Sequence, residues 1–187
     1  GIADGPSAAV VKNCCNALSR MLRYNLKGPH VVTLEQELQH TKYYIYIMQL
    51  RFDHLFQVKY LIDETLLQYK TIKFSMQPFI ENAILHGFTE HQIHGTLMIS
   101  LSRDMDGMIR LTITDDGYGI SPDTLNKLMQ KIHNTDASSY TGNEYNSIGI
   151  ANTHQRLLQY FGKSYTFHMD SKPQEGTSIS IQFPRIL

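Results

Sequence analysis

The stretch QPFIENAILHGF, residues 77–88, decides how the rest of this chain is read. It has the make-up of a helix, yet it sets Glu81, Asn82 and His86 among Phe79, Ile80, Ala83, Ile84 and Leu85. At about 100° per residue, Asn82 and His86 lie one turn apart on a shared face, and Ile80 and Ile84 point to nearly the opposite side. These twelve residues alone fit two readings equally. One is a partly exposed polar face on a helix that Gly87 stops; the other is a polar pair set over a site. The surrounding chain has to choose.

Length and charge bound the choice. The 187 residues, 42% hydrophobic and 18% charged, suffice for one good core and a smaller appendage. The 17 Lys and Arg cancel the 17 Asp and Glu, and no long run of one sign occurs, so the electrostatic footprint of a nucleic-acid binder is missing. Cys14 and Cys15 are neighbours inside a helical pattern. They read as small buried apolar residues rather than a disulfide, which fits a reducing compartment. No apolar stretch approaches the roughly 20 residues that span a bilayer, and the N-terminus lacks the basic start and apolar core of a signal peptide. A chain soluble as it stands is the expectation.

Two periodicities divide the sequence. Residues 8–26 place Val11, Cys14, Cys15, Leu18, Met21 and Leu22 at helical spacing, and KGP at 27–29 ends that helix. Thr33 with Gln36 forms a capping box that opens a second helix through Leu34, Leu38, Tyr44, Ile45 and Met48 to about Phe52. The period then changes to two, with Phe56, Val58, Tyr60 and Ile62 on one face, and later Leu97, Ile99 and Leu101 on one face. RDMDG at 103–107 turns the chain into a third strand, Met108 to Asp115. Helices near 122–132 and 148–161 and strands near 164–170 and 177–183 complete the pattern. The expected fold is a two-layer α/β sandwich preceded by two amphipathic helices.

In the third strand, Ile109, Leu111, Ile113 and Asp115 share one face, so Asp115 lies at the end of a buried layer. A carboxylate there is costly unless something donates hydrogen bonds to it, and a ligand amino group is a fitting partner. Asp116 reads as simply solvated. The following GYGI carries two glycines that let backbone approach a flat ring or a phosphate. A plain Asp-Gly turn is the alternative, and DDGYGI alone is a weak signal. Order and context add weight. The polar stretch at 133–147, HNTDASSYTGNEYNS, is too long for an ordinary connection and behaves like a lid. It runs into IGIANTHQRLLQYFG, expected to be a helix with Gly149 at its start, where free amides hold anions. EGTSISIQFP then offers a glycine and a hydroxyl at the start of a strand. Together these describe a nucleotide pocket.

The ordered set ENAILHG, DDGYGI, SIGIAN and GTSISI resembles the glycine and asparagine boxes of the Bergerat-type ATP-binding domain shared by histidine kinases, gyrase, Hsp90 and MutL. LSRMLRYNL, VTLEQELQHTKYYIYIMQLRF and MQPFIENAILHG are similar to the LytS/YpdA branch of bacterial sensor histidine kinases. The resemblance covers almost the whole chain. It implies a mixed, mostly antiparallel sheet in an ATP-binding catalytic domain at 54–187. Residues 1–53 would then be a helical remnant of the dimerisation and phosphoacceptor region.

Carried over residue by residue, the resemblance gives Asn82 to Mg²⁺ through its side-chain oxygen and Asp115 to the adenine amino group. Gly117 and Gly119, followed by Ile120, would make room for adenine, Gly149 and Ile150 would line the phosphates, and Thr177 would add a polar contact on the adenine side. Glu81 would orient water or activate the acceptor, with a surface salt bridge as its plainer role. His86 would approach the phosphates, with a packed, satisfied histidine as its plainer role. Two positions depart from the family pattern. Leu85 stands where a basic residue is usual, and Ser147 replaces the first glycine of a GIG segment, so weaker nucleotide binding is expected.

The branch's acceptor histidine, in an HFLFN-like segment, has no counterpart among the nine histidines here. The chain is thus expected to be part of a longer kinase, with the acceptor upstream. The function implied is transfer of the ATP γ-phosphoryl to that histidine, with ATP and Mg²⁺, a homodimer in the full-length protein and a response regulator downstream. Its place would be the cytoplasmic side of a bacterial membrane sensor, tied to the membrane only by segments upstream. Another ATPase or serine kinase of the same fold is one alternative, and it leaves the paired helices at 8–52 unexplained. A regulatory nucleotide-binding module without kinase activity is another, favoured by Leu85 and Ser147. A metal site from His86, His91 and His94 is disfavoured, because that spacing mixes a helix end with a loop.

Overall fold

The computed structural model describes residues 7–133 and 145–187. Helix α1 spans Ala8–Leu26, strand β1 Val31–Thr33, helix α2 Leu34–Arg51, strand β2 Phe56–Ile62 and strand β3 Lys70–Ile72. Helix α3, Gln77–Asn82, continues directly as a π-helical segment, Ala83–Thr89. Strands β4 (Gly95–Arg103) and β5 (Ile109–Asp115), helices α4 (Pro122–His133) and α5 (Tyr145–Phe161), and strands β6 (Thr166–Lys172) and β7 (Gly176–Phe183) complete the chain.

The local signals act as elementary chemistry requires. Ser7 caps α1 by accepting from the Val10 amide at 3.4 Å. The Thr33 hydroxyl accepts from the Gln36 amide at 3.2 Å while the Gln36 side chain accepts from the Thr33 amide at 3.0 Å, so two of the orphan amides at the start of α2 are satisfied reciprocally. Strands β1 and β3 pair antiparallel as a small sheet of their own. Neither strand is announced by the sequence, because three residues are too few to show an alternation.

The main sheet has the order β2-β4-β5-β7-β6. Only β2 and β4 run parallel; every other pair is antiparallel, so the sheet is mixed and mostly antiparallel, as expected. One face carries Leu97, Ile99, Leu101, Ile109, Leu111, Ile113, Ile179 and Ile181, each at most 3% exposed. Each such side chain contributes roughly 1.5–3 kcal/mol by leaving water. Against that face pack Phe79, Ile80, Ala83, Ile84 and Phe88 from α3 and its π extension and Leu157 and Phe161 from α5, while Leu34, Leu38, Tyr44 and Ile45 from α2 extend the same core beside the small β1–β3 sheet. The opposite face is a half-exposed ladder of hydroxyls, with Thr114 and Ser178 3.0 Å apart. Two layers result.

Three expectations change. Cys14 and Cys15 are free, but Cys14 is only half-buried and Cys15 is exposed. The cause is that Ala17 alone is buried along α1, leaving Val11, Leu18, Leu22 and Leu26 about half-exposed or more. Gly87 does not stop its helix. It lies inside the π-helical segment, which runs on to Thr89. Helix α5 starts at Tyr145, so Gly149 sits within the helix rather than at its start.

Candidate functional site

Asn82 and His86 both line a cavity of about 600 Å³, within the usual size of a small-molecule site. Ile80 and Ile84, on the opposite side of the same helix, are fully buried. The apolar side seats the helix on the sheet, and the polar pair faces a cavity. Across that cavity stand Tyr118, Gly119 and Ile120 from the loop after β5, and Thr124, Lys127 and Lys131 from α4. Among the described lining residues there is no carboxylate, whereas two lysines and two histidines, His86 and His91, are present. Such a lining suits an anionic ligand.

The π-helical segment shapes the wall. Here the Glu90 amide bonds back five residues to the Leu85 carbonyl at 2.9 Å, and the Gly87 carbonyl instead accepts from the Tyr118 amide at 2.9 Å. A register change of this kind often marks a functional position. The close approach also needs glycines: a Cβ on Gly117 would collide with the Gly87 backbone, and Gly119, at φ +70°, would collide with the Lys172 carbonyl. The loop's other side is held by the β6–β7 hairpin, where the Tyr118 carbonyl accepts from the Gln174 amide at 2.6 Å. The Ile120 amide donates to Ser171 Oγ at 2.8 Å. Tyr118 stacks on His91 with centroids 3.6 Å apart.

Asp115 ends β5 beside this loop, 3% exposed. Its Oδ1 accepts from the Gly117 amide at 3.1 Å, and in the ladder it stands opposite Thr177. Burial pushes its pKa up to about 6, against the opposing pull of the Gly117 and Thr177 amides. Thr177 is itself 6% exposed. Ser171 Oγ donates to the Gly176 carbonyl at 2.9 Å and lies 2.9 Å from Thr177 Oγ1. With its one proton so used, Ser171 must accept from Thr177. Asp116 differs from its expected role. Though exposed, it is not merely solvated, because its Oδ1 accepts from the Thr96 amide at 2.6 Å and pins the start of β4.

Of the remaining candidates only His86 lines the cavity. Glu81 is absent from the described cavity lining; it is half-buried, and its Oε1 accepts from Gln77 Nε2 at 2.6 Å. His86 Nδ1 meets Glu90 Oε2 at 2.7 Å, while its buried Nε2 has no partner among the described residues. Gly149 packs near Pro78, and Ile150 lies in the core at 1% exposed. The expected lid, 133–147, falls outside the described residues over 134–144, as does the side chain of Ser147. A second hollow of about 460 Å³ between α1 and α2 shares no lining residue with the first and contains none of the candidates.

Tyr118 and the α4 lysines were not singled out in the sequence, and His91 was considered only for the disfavoured metal site. Lys127 and Lys131 are one turn apart, so their shared face was readable from spacing; that this face meets α3 was not.

A family model described as histidine kinase-, DNA gyrase B-, and HSP90-like ATPase matches residues 70–186, and one described as histidine kinase matches residues 3–56. An uncharacterized sensor-like histidine kinase of Staphylococcus epidermidis is 32% identical over 183 residues, covering 96% of this chain and 34% of its own. The sensor protein LytS of Bacillus subtilis is 30% identical over 169 residues, covering 89% of this chain and 27% of its own. The chain thus spans about a third of the length of these curated relatives. Among solved structures, full-length ShkA in complex with AMPPNP is similar in fold, with a TM-score of 0.57 at 16% identity, covering 94% of this chain and 36% of that one.

Proposed function

The chain belongs to the histidine kinase-, DNA gyrase B- and HSP90-like ATPase family, and from that premise we propose that it is the ATP-binding catalytic part of a two-component sensor histidine kinase. The observation that carries this reading is the cavity shared by Asn82, His86 and the Tyr118–Ile120 loop, with the buried Asp115 beside it. In this reading the adenine amino group donates to the Asp115 carboxylate and Thr177 completes the polar edge. Gly117 and Gly119 let the loop close on Gly87 and on the β6–β7 hairpin, which fixes the wall where the ring lies, and Ile120 adds an apolar edge. The phosphates run toward His86 and the α4 lysines, whose charge takes the place of the basic residue that Leu85 lacks. Gly149 and Ile150 act through the seating of α5 on Pro78 and the core.

Mg²⁺ fits this donor set. Asn82, whose amide oxygen is a hard ligand, lines the cavity, and among the described residues no cluster of His, Cys, Asp or Glu competes for the ion. Bound there with water and phosphate oxygens, the ion would neutralise charge on the transferring phosphoryl group. The protein's own part is positioning. His86, tied through Nδ1 to the Glu90 carboxylate, shapes the cavity wall on the phosphate side, and Glu81, outside the lining, receives the proton that the acceptor imidazole gives up.

The acceptor is proposed to be a histidine on a segment other than these 187 residues, in a homodimeric sensor whose cytoplasmic part contains 1–53 as dimerisation helices and 54–187 as the catalytic unit. A response regulator would then take the phosphoryl group, and membrane attachment would come through other segments; among the described residues no helix is long and apolar enough to cross a membrane. Labelling with γ-phosphate-labelled ATP tests this. The chain alone should bind ATP without labelling itself, and a longer chain carrying Asn82→Ala should become labelled when mixed dimers form with it. Acid-labile label on one of this chain's own histidines would overturn the proposal.

A further inference from the structure

Helix α3 is short and poorly determined by its own hydrogen bonds. It has six residues, its N-cap Met76 offers no side-chain bond, and at Ala83 its ladder gives way to the π-helical register. Something else must fix how it is rotated, since a turn of a few tens of degrees would swing Asn82 off the cavity.

Two ties reach it from α2. Glu37, fully buried, accepts from the amides of Phe74 at 3.0 Å and Met76 at 3.2 Å, holding the backbone that leads into the helix. His40, 2% exposed, places Nε2 2.6 Å from Gln77 Oε1. The amide nitrogen of Gln77 in turn donates to Glu81 Oε1 at 2.6 Å. Because Gln77 uses its nitrogen on Glu81, its oxygen must accept, so His40 carries its proton on Nε2. His40 Nδ1 has no partner among the described residues, which agrees with the neutral tautomer. The run is therefore directional: His40 to Gln77 to Glu81, along the face of α3 next to the one that carries Asn82.

We infer that Gln77, oriented by His40, is a positioning residue for the metal-binding Asn82: the His40–Gln77–Glu81 chain locks the rotation of α3 and so aims the Asn82 amide into the cavity. This rests on the proposed Mg²⁺-nucleotide reading of that cavity. It makes α2 part of the nucleotide site without touching the nucleotide, and it gives Glu81 a second task besides any in proton transfer.

The experiment is calorimetric titration of this chain with ADP, with and without Mg²⁺, in variants checked for unchanged melting temperature. Gln77→Met keeps the bulk and removes both hydrogen bonds. It should reduce the gain in affinity that Mg²⁺ confers by about fivefold, the size of one net hydrogen bond, and leave Mg²⁺-free affinity unchanged. His40→Leu should act alike, and His40→Gln, which restores an N–H donor, should recover most of the gain. In the Asn82→Ala background Gln77→Met should cost nothing further. Equal losses with and without Mg²⁺, an undiminished Mg²⁺ gain in Gln77→Met, or additive losses in the double variant would overturn the inference. If Asn82→Ala alone keeps the full Mg²⁺ gain, the metal assignment fails first and the inference with it. If Asn82→Ala abolishes the gain and Gln77→Met does not touch it, only the positioning role falls.

Discussion

Gly87 and Asp115 approach so closely that a Cβ on the glycine would stand 2.9 Å from Asp115 Oδ1. The glycine that closes ENAILHG is there for the aspartate 28 residues later, not to end a helix. Gly87→Ala should therefore push the carboxylate aside, at a cost of roughly 1–3 kcal/mol of overpacking. Thermal unfolding and ADP affinity should fall together. An alanine variant of wild-type affinity would mean that the carboxylate's position does not matter to the ligand.

The raised pKa of Asp115 gives a signed pH dependence. Its folded value is about 6 against 3.8 for the free group. Below pH 3.8 both states are protonated and the group costs nothing. Between those values the unfolded chain ionises first, so stability is lost as pH rises, reaching roughly 3 kcal/mol above pH 6. Asp115→Asn should accordingly stabilise the ligand-free chain at pH 7.5 and make little difference at pH 3.5, read from urea unfolding at both values.

The same ionisation governs binding in the proposed function. ATP affinity should decline as pH falls through about 6, where the acceptor for the adenine amino group is lost. Asp115→Asn should weaken ATP far more than GTP. Asp116→Asn should change neither, because Asp116 serves the Thr96 amide. Equal losses in both variants would contradict the adenine assignment.

Glu37 should matter more than any exposed carboxylate. Besides the two amides it accepts from Tyr24 Oη at 2.5 Å, and Lys73 Nζ holds the carbonyls of Tyr24 and Lys27 at 2.6 Å each. Glu37→Ala would strand two buried amides and should cost about 3 kcal/mol or more, whereas Tyr24→Phe removes one partner and should cost about 1 kcal/mol. Chemical denaturation measures both; similar small losses would show that water replaces the carboxylate.

Elements with strong periodicity were readable from sequence. The capping box at Thr33, the alternation at Leu97–Leu101 and the buried face of β5 ending on Asp115 all follow from local chemistry. So did the shared face of Asn82 and His86. What escaped is what depends on approach between distant segments. The π-helical register at Ala83–Thr89 goes with the bond from the Tyr118 amide to the Gly87 carbonyl, and the same loop brings Tyr118 onto His91. Asp116 looked solvated because its partner, Thr96, is 20 residues away in sequence. The tie from Glu81 through Gln77 to His40 was not legible, because nothing local points to Gln77 being held by His40 across 37 residues.

The most direct measurement of the central claim is calorimetric titration of the chain with ATP in the presence and absence of Mg²⁺, repeated on Asn82→Ala. One nucleotide should bind per chain, tighter with Mg²⁺, and the variant should lose most of that Mg²⁺ dependence, since the ion would lose its protein oxygen. An absence of ATP binding, or an Asn82→Ala variant with the Mg²⁺ dependence of the parent, would contradict it.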